Sequence, residues 1–198
     1  MRKGMVVKIM IMLFQHRREA AAGEAGTECE DMAADSTTLE IPARHPAEIL
    51  AWSENLARDN NPPDRPILAI WHPAEGLCAV IGLSQDPERE LNMAAISRDG
   101  VEVIRRQSGG GAVLLGPGTI CWEAVASLTW LESAGGAGIR NAYAALSYPI
   151  AEALRRLGIA ISPAGISDLS ARGRTAGEPA RKVAGTAQFR KRNTVLVH

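Results

Sequence analysis

The sequence of 198 residues is poor in three features that carry familiar functions: aromatic side chains, net charge and paired cysteines. Phe, Trp and Tyr make up only 4% of the residues, which disfavours a nucleic-acid module built on stacked aromatic platforms. Twenty-two Lys and Arg balance twenty-two Asp and Glu, so no overall charge attracts DNA or an anionic membrane. Cys29, Cys78 and Cys121 form no CxxC pair. We therefore expect neither a disulfide framework nor a zinc site. The same cysteine usage predicts a reducing, cytoplasmic location.

The sequence also lacks a hydrophobic run long enough to cross a bilayer. Residues 5–14 are apolar but contain Lys8, and the run is far shorter than the about 20 residues that a spanning helix needs. His16, Arg17 and Arg18 follow where a signal peptide would have small residues. Residues 20–35 show no periodicity. We therefore predict a flexible extension over residues 1–38, no membrane partner, and one domain over residues 39–198.

Hydrophobic periodicity predicts groups of strands separated by helices after residue 39. Helices are predicted over 46–57, 87–97 and 139–157, with a kink or a break near Ser147 because Pro149 lies inside the last pattern. Strands are predicted over 67–71 and 77–83, as a hairpin, and over 101–105, 112–115, 119–128, 159–161, 166–170, 181–189 and 194–197. This order is typical of an α+β fold with mixed or antiparallel sheets and flanking helices.

The most informative segment is RRQSGGGAV at residues 105–113. Consecutive glycines are costly in backbone entropy, so they indicate either a turn with positive φ or a close approach to a ligand. Adjacent N–H groups would form an anion-binding concavity, and Arg105 and Arg106 would place forked donors at its entrance. A glycine-rich hairpin turn with a solvated basic edge is the alternative. The segment fits neither GxxxxGK[ST] nor GxGxxG, so a P-loop enzyme or dinucleotide binder is not supported.

A second segment, ARKVAGTAQ at residues 180–188, begins an alternating run with Lys182. The small residues Ala184, Gly185 and Ala187 leave room for a ligand against the strand. An ammonium group there can neutralise a phosphate or carboxylate oxygen. By itself, Lys182 is interpreted as a routine strand lysine rather than a catalytic one.

Taken together, the two segments resemble the lipoate–protein ligase family, which carries RRxSGGGxV followed by a G+K(V/I)xGxA motif around an essential lysine. Residues 54–57 (ENLA) resemble the first helix of the family, residues 80–85 (VIGLSQ) its VIGxxQ strand, and Asp168-Leu169 its NDL element. The resemblance extends from about residue 39 to residue 198. It implies a catalytic domain like that of class II aminoacyl-tRNA synthetases and biotin ligases.

The resemblance implies that ATP and lipoate form lipoyl-adenylate, and that the acyl group passes to a lysine of a lipoyl domain. The acceptors would be 2-oxoacid dehydrogenase complexes or the glycine-cleavage H protein. Lys182 would hold the acyl carbonyl oxygen and the α-phosphate. Arg106 would contact phosphate, and Asp168 would lie near Mg²⁺ or cap a turn. The remaining residues expected at the adenylate site are Arg105, Ser108, Gly109, Gly110, Gly111, Ala112, Val113, Leu114 and Gly185.

One departure from the family pattern keeps a second activity open. Leu115 stands where the ligases have histidine, and Gly116-Pro117-Gly118 resembles the loop of lipoyl(octanoyl) transferases, which take the acyl group from an acyl carrier protein. Those acyltransferases need a reactive cysteine. One transferase type places it just ahead of the lysine segment, but residues 159–181 contain none, and another type places it downstream, beyond residue 198. Cys78 and Cys121 lie in apolar runs typical of a core. A paralogue that binds an acyl-adenylate or a carrier domain without catalysis is a third possibility.

Two features concern the C-terminal part of the chain. In the family, the strand that matches residues 194–198 continues into Gly-Thr-Leu-Leu, so we expect the catalytic domain to be incomplete at this end. Residues 172–192 contain seven basic side chains against the single acidic Glu178. In the family interpretation this segment faces the adenylate and an acidic lipoyl domain, and otherwise it is a solvated loop.

Overall fold

A computed structural model describes residues 36–59, 61–74, 76–171 and 178–198. Most of the predicted extension and the loop at 172–177 lie outside the described residues. The strands are β1 Thr37–Glu40, β2 Ile67–Trp71, β3 Cys78–Ile81, β4 Glu102–Arg105, β5 Val113–Leu115, β6 Cys121–Ser127, β7 Ile161–Ala164, β8 Asp168–Ala171, β9 Arg181–Gly185, β10 Gln188–Lys191 and β11 Thr194–Val197. The helices are α1 Pro46–Arg58, α2 Pro87–Glu90, α3 Met93–Arg98, α4 Leu128–Ser133 and α5 Ile139–Arg156. The predicted α+β class is confirmed.

The central sheet has the strand order β1-β2-β6-β11-β10, with β1 parallel to β2 and the other neighbours antiparallel. One face packs against α5, where Leu146 and Ile150 join Leu68, Ile70 and Val195 in the largest buried cluster. The other face packs against α1, where Ala57 contacts Val125 and Leu196. Burial on both faces explains why β2, β6 and β11 are almost continuously apolar. The predicted domain boundary at residue 39 falls inside β1.

A second sheet has the order β4-β3-β5, and this arrangement corrects the predicted hairpin over 67–83. β3 pairs in parallel with β4 and antiparallel with β5, whereas β2 belongs to the central sheet. The two strands separate because each is buried on both faces and finds partners from later parts of the chain. The glycine segment likewise does not close a hairpin, since β3 lies between the strands on either side of it.

The third sheet has the order β7-β8-β9 and packs against α5 through Ile161 and Leu169. The predicted strand over 181–189 is therefore two strands in two sheets: β9 pairs with β8, and β10 pairs with β11. The change of sheet occurs at Thr186 and Ala187. Ala187 exchanges both backbone hydrogen bonds with His198, at 2.8 and 3.0 Å.

Two helix predictions also need correction. The helix predicted over 87–97 is divided, because Leu91 is extended and the Asn92 side chain accepts from the backbone N–H of Ala95 to start α3. Of the kink or break predicted near Ser147, the break is absent from the described α5, which is helical from Ile139 to Arg156 with Pro149 inside. Gly158 follows the helix with φ +79°, as expected of a C-terminal cap.

Candidate active site

Loops from the three sheets enclose a cavity of about 370 Å³. Its walls come from the glycine segment, the start of β6, the β8 and β9 strands with the turns beside them, and His198. Nine of the twelve predicted site residues line it: Arg106, Gly110, Gly111, Ala112, Val113, Leu114, Asp168, Lys182 and Gly185. Arg105, Ser108 and Gly109 are not among the described residues that form its walls. The structure thus brings the two signature segments together at one site.

Arg106 is buried, with 5% of its surface exposed, and its guanidinium group holds the glycine segment from behind. It donates to the Ser108 hydroxyl at 2.9 Å and to the backbone oxygen of Val80 at 3.1 Å. It also donates to the backbone oxygens of Gly109 and Gly111, at 2.7 and 2.8 Å. Burial lowers the pKa of Arg106 from its usual value, but arginine remains protonated near neutral pH.

These contacts determine which way the backbone of the glycine segment faces. In a trans peptide unit, the N–H points away from the preceding C=O. Because the oxygens of Gly109 and Gly111 face Arg106, the N–H groups of Gly110 and Ala112 point to the opposite side. Neither N–H is hydrogen-bonded to a described residue. They form a pair of free donors on residues that line the cavity, which is the basis of an anion-binding concavity.

Gly110 is the one glycine of the segment whose backbone requires glycine. Its φ is +90°, and an added Cβ would lie 3.1 Å from a terminal nitrogen of Arg106. At Gly109 and Gly111 an added Cβ would meet no described atom within 4 Å. A Cβ on Gly82 would collide with the Gly110 carbonyl oxygen, so the VIGLSQ segment also supports this turn.

The structure places Arg105 differently from the expected entrance of the concavity. One terminal nitrogen of its guanidinium donates to the backbone oxygens of Gly82, Leu83 and Gln85, at 3.0, 2.9 and 2.6 Å. Arg105 therefore holds carbonyl groups of residues 82–85, whereas Arg106 holds carbonyl groups of the glycine segment. Sequence alone could not show this, because a forked donor serves backbone oxygens and phosphate oxygens equally well.

Lys182 reaches from β9 to Asp168 on β8, and its Nζ lies 2.8 Å from Oδ2 of the carboxylate. Gly185 pairs with Asp168 across the sheet, and a Cβ on Gly185 would lie 3.0 Å from the Lys182 side chain. The small residue that was expected to leave room for a ligand leaves room for the lysine. Lys182 is 61% exposed and Asp168 32%, so the ammonium group is accessible from the cavity.

Sequence reasoning missed a buried chain of polar groups beneath the glycine segment. Ser108 Oγ lies 2.6 Å from His198 Nε2, and His198 Nδ1 lies 3.2 Å from Glu123 Oε2. The three side chains are almost fully buried. Only one signal was available: Glu123 is a charged residue inside the apolar strand CWEAVAS. Through Ser108 and its backbone bonds to Ala187, His198 connects the two signature segments.

Neither described cysteine has the properties of a nucleophile. Burial raises the pKa of the Cys78 thiol to about 11, with a contribution from Glu102. Burial and the neighbouring Glu123 raise the pKa of Cys121 to about 12. Both thiols are protonated at neutral pH, whereas a cysteine that forms a thioester needs a lowered pKa. Cys29 lies outside the described residues.

The chain matches a known protein family over most of its described length. Residues 45–198 match the model of the lipoyl protein ligase A/B catalytic domain. The chain belongs to this family. A curated relative, "Probable lipoate-protein ligase A" of Mycoplasma pneumoniae, is 28% identical over 132 residues, which are 67% of this chain and 34% of the relative. The chain therefore spans about a third of the length of that curated relative.

Three solved structures share the fold, and each covers 82% of this chain. The bi-partite lipoate protein ligase of Thermoplasma acidophilum, studied with its E2 lipoyl domain, has a TM-score of 0.63, 22% identity and 59% of its own chain covered. A protein of the same organism, described as a "putative lipoate protein ligase" with bound lipoic acid, has a TM-score of 0.61 and 22% identity, with 66% of its own chain covered. Lipoate-protein ligase A bound with ATP has a TM-score of 0.57 and 23% identity, with 64% of its own chain covered. The predicted likeness to lipoate ligases in sequence and fold is confirmed.

Among the described residues, no three His, Cys, Asp or Glu side chains are grouped to hold a metal ion. None of the described helices combines the length and apolar character needed to cross a membrane.

Proposed function

We propose that this family member activates a lipoate-type carboxylic acid with ATP and transfers the acyl group to a lysine of a lipoyl domain. The observation that carries the proposal is the meeting of the free N–H groups of Gly110 and Ala112 with the Lys182 ammonium around one cavity. Relatives of the same fold have been determined with lipoic acid, with ATP and together with an E2 lipoyl domain. A glycine-cleavage H protein would be an acceptor of the same chemical kind.

In the first step, a carboxylate oxygen of the acid attacks the α-phosphorus of ATP and pyrophosphate leaves. Charge develops on the α-phosphate oxygens, where the N–H groups of Gly110 and Ala112 would donate. The Lys182 ammonium would leave Asp168 and lie between an α-phosphate oxygen and the acyl carbonyl oxygen. Fixed donors of this kind lower the barrier without a protein nucleophile.

Asp168 has a second role in this proposal. Mg²⁺ is commonly bound by one or two carboxylates together with substrate phosphates, and Asp168 is a partly exposed carboxylate on the cavity wall. Released from Lys182, it would hold the ion that neutralises the phosphate charge. The same movement would thus free both members of the ion pair for substrate.

In the second step, the deprotonated amine of the acceptor lysine attacks the acyl carbonyl carbon, and AMP leaves with the electrons of the C–O bond. Lys182 would stabilise the oxyanion that forms on the carbonyl oxygen. The exposed apolar residues Val113, Leu114 and Val183 line the cavity. They provide a contact surface for the incoming acyl chain or the acceptor.

The direct test is ATP–pyrophosphate exchange in the presence of lipoate, followed by mass measurement of a lipoyl domain. We expect exchange that requires both ATP and the acid, and a mass increase of one acyl group on the acceptor lysine. Acyl transfer from an acylated carrier protein without ATP would instead identify a transferase. Binding of acyl-adenylate without exchange or transfer would identify a non-catalytic paralogue.

A further inference from the structure

Gln107, which lies between the arginine pair and Ser108, is held by two successive turns of α1. Its backbone N–H donates to the Glu54 carboxylate at 2.7 Å. Its side-chain Oε1 accepts a hydrogen bond from a terminal nitrogen of Arg58 at 2.8 Å. Glu54 and Arg58 are an i, i+4 pair on α1, so both side chains lie on the same face of the helix. The helix therefore binds this one residue through its main chain and through its side chain.

Few other contacts fix the main chain at the start of the glycine segment. Among the described residues, Gln107 is the one member of residues 107–112 whose backbone N–H has a hydrogen-bond acceptor. The carbonyl oxygens of the segment are bound by Arg106 and by the N–H of Leu83. Arg106 thus directs the carbonyl groups, whereas Glu54 fixes the main chain where the turn begins.

α1 is a rigid support for this contact because its other face packs in the core. Ala57 is fully buried against Val125 and Leu196 of the central sheet. The guanidinium carbon of Arg58 lies 5.7 Å from the centroid of the Phe189 ring on β10, which is within the range of a cation–π contact. β10 follows the lysine-bearing β9 along the chain. The helix therefore connects the glycine segment to the strand that follows the lysine segment.

We propose that Glu54 and Arg58 are positioning residues for the nucleotide. Through Gln107, they hold the free N–H donors of the glycine segment in place for the phosphates. This inference rests on the proposed function for the identity of the bound anion as ATP. Charge alone predicts the opposite effect for Glu54, because a carboxylate close to the site repels phosphate. Positioning and charge therefore differ in the sign of the change in ATP affinity when Glu54 is replaced.

The test measures the Kd of ATP with Mg²⁺ for the full chain by calorimetry, without the acid, at a temperature where every variant is folded. Glu54→Ala should raise the Kd about tenfold, because ordering of the released segment then opposes binding. Glu54→Gln keeps an acceptor oxygen for the Gln107 N–H, so its Kd should stay within about threefold of the native value. The matched control is Glu48→Ala, which removes an exposed carboxylate from the same helix and should leave the Kd unchanged.

A double-mutant cycle tests the side-chain contact. Arg58→Ala and Gln107→Ala should each raise the Kd of ATP about threefold, as for one partly exposed hydrogen bond. The double variant should bind ATP no more weakly than either single variant, because both changes remove the same contact. If Arg58 acted only as a positive charge, its loss would weaken binding equally with and without the Gln107 side chain. Additive losses would therefore contradict the positioning role of Arg58.

The outcomes for Glu54 separate this inference from the proposed function. Tighter or unchanged ATP binding by Glu54→Ala, or equal weakening in Glu54→Ala and Glu54→Gln, would overturn the inference. A lower melting temperature with an unchanged Kd would also overturn it, since the contact would then serve stability alone. Weaker ATP binding by Glu54→Ala, in a chain without lipoate-dependent pyrophosphate exchange, would contradict the proposed function and leave the inference intact. Failure of the native chain to bind ATP would overturn both.

Discussion

At the scale of single residues, Arg106 and Gly110 determine how the glycine segment presents its backbone. The guanidinium group holds two carbonyl oxygens, and the positive φ of Gly110 lets the chain reverse between them. The cation therefore acts on the ligand through the orientation of peptide groups. The phosphate contact that the family resemblance implies for Arg106 stays a prediction.

Gly110→Ala should destabilise the protein by about 1–3 kcal/mol, because the alanine must adopt a left-handed backbone and its Cβ presses on Arg106. Gly111→Ala is the matched control. Its Cβ would enter open space among the described atoms, and the change in unfolding free energy should stay within about 0.5 kcal/mol. Urea denaturation of both variants measures the difference. Equal stabilities would mean that φ at Gly110 is not a constraint.

Cys121 should be inert toward alkylation in the folded protein. With a pKa of about 12 against about 8.5 in an unfolded chain, its thiolate fraction at pH 8 is roughly a thousandfold lower. Its alkylation rate should rise with pH well above the range in which ordinary thiols titrate. Peptide mapping after iodoacetamide treatment separates Cys121 from Cys29 and Cys78. Rapid labelling at neutral pH would revive the thioester mechanism of the transferases.

At the scale of elements, α5 contains a proline that the helix accommodates without a break. Pro149 cannot donate to the carbonyl oxygen of Ala145, and a proline in a helix interior costs about 3 kcal/mol. Packing of Leu146 and Ile150 into the main core compensates for this cost. Tertiary contacts, which the local pattern does not contain, thus preserve the helix.

Pro149→Ala should therefore stabilise the protein by about 1–2 kcal/mol, after allowing for the greater freedom of the unfolded chain. Pro46→Ala provides the opposite case. Pro46 begins α1, where its missing N–H costs nothing, so its replacement should lower stability by about 0.4–1 kcal/mol. Thermal and urea denaturation measure the expected gain of stability in Pro149→Ala and the expected loss in Pro46→Ala. A loss of stability in Pro149→Ala would show that the proline ring itself is needed for packing.

The positions of most helices and strands could be predicted from local patterns, whereas strand pairing could not. The apolar segments at 67–71 and 78–81 were recognised as strands, but their buried faces gave no indication that they join different sheets. Likewise, the residues 181–189 form one alternating pattern that the structure divides between two sheets. Pairing depends on contacts distant in sequence, which periodicity does not encode.

At the scale of the whole molecule, the site exists because loops from three sheets meet around one cavity. The two signature segments could be recognised in the sequence because each is compact and carries unusual glycine content. The roles of Glu123 and His198 could not be recognised in the sequence, because both are single polar residues in or beside apolar strands. Their importance arises only from the fold, which places His198 between Ser108 and Glu123 in the wall of the cavity.

The measurement that tests the central claim most directly is ATP–pyrophosphate exchange by Lys182→Ala, compared with Lys191→Ala at the exposed end of β10. Loss of the cation that stabilises developing negative charge should lower exchange about 10²–10³-fold. The partly exposed ion pair with Asp168 contributes only about 0–1 kcal/mol, so both variants should melt like the native chain. Lys191→Ala should retain full exchange. A folded Lys182→Ala protein that keeps more than about a tenth of the native rate would contradict the role of this lysine and the account of the site.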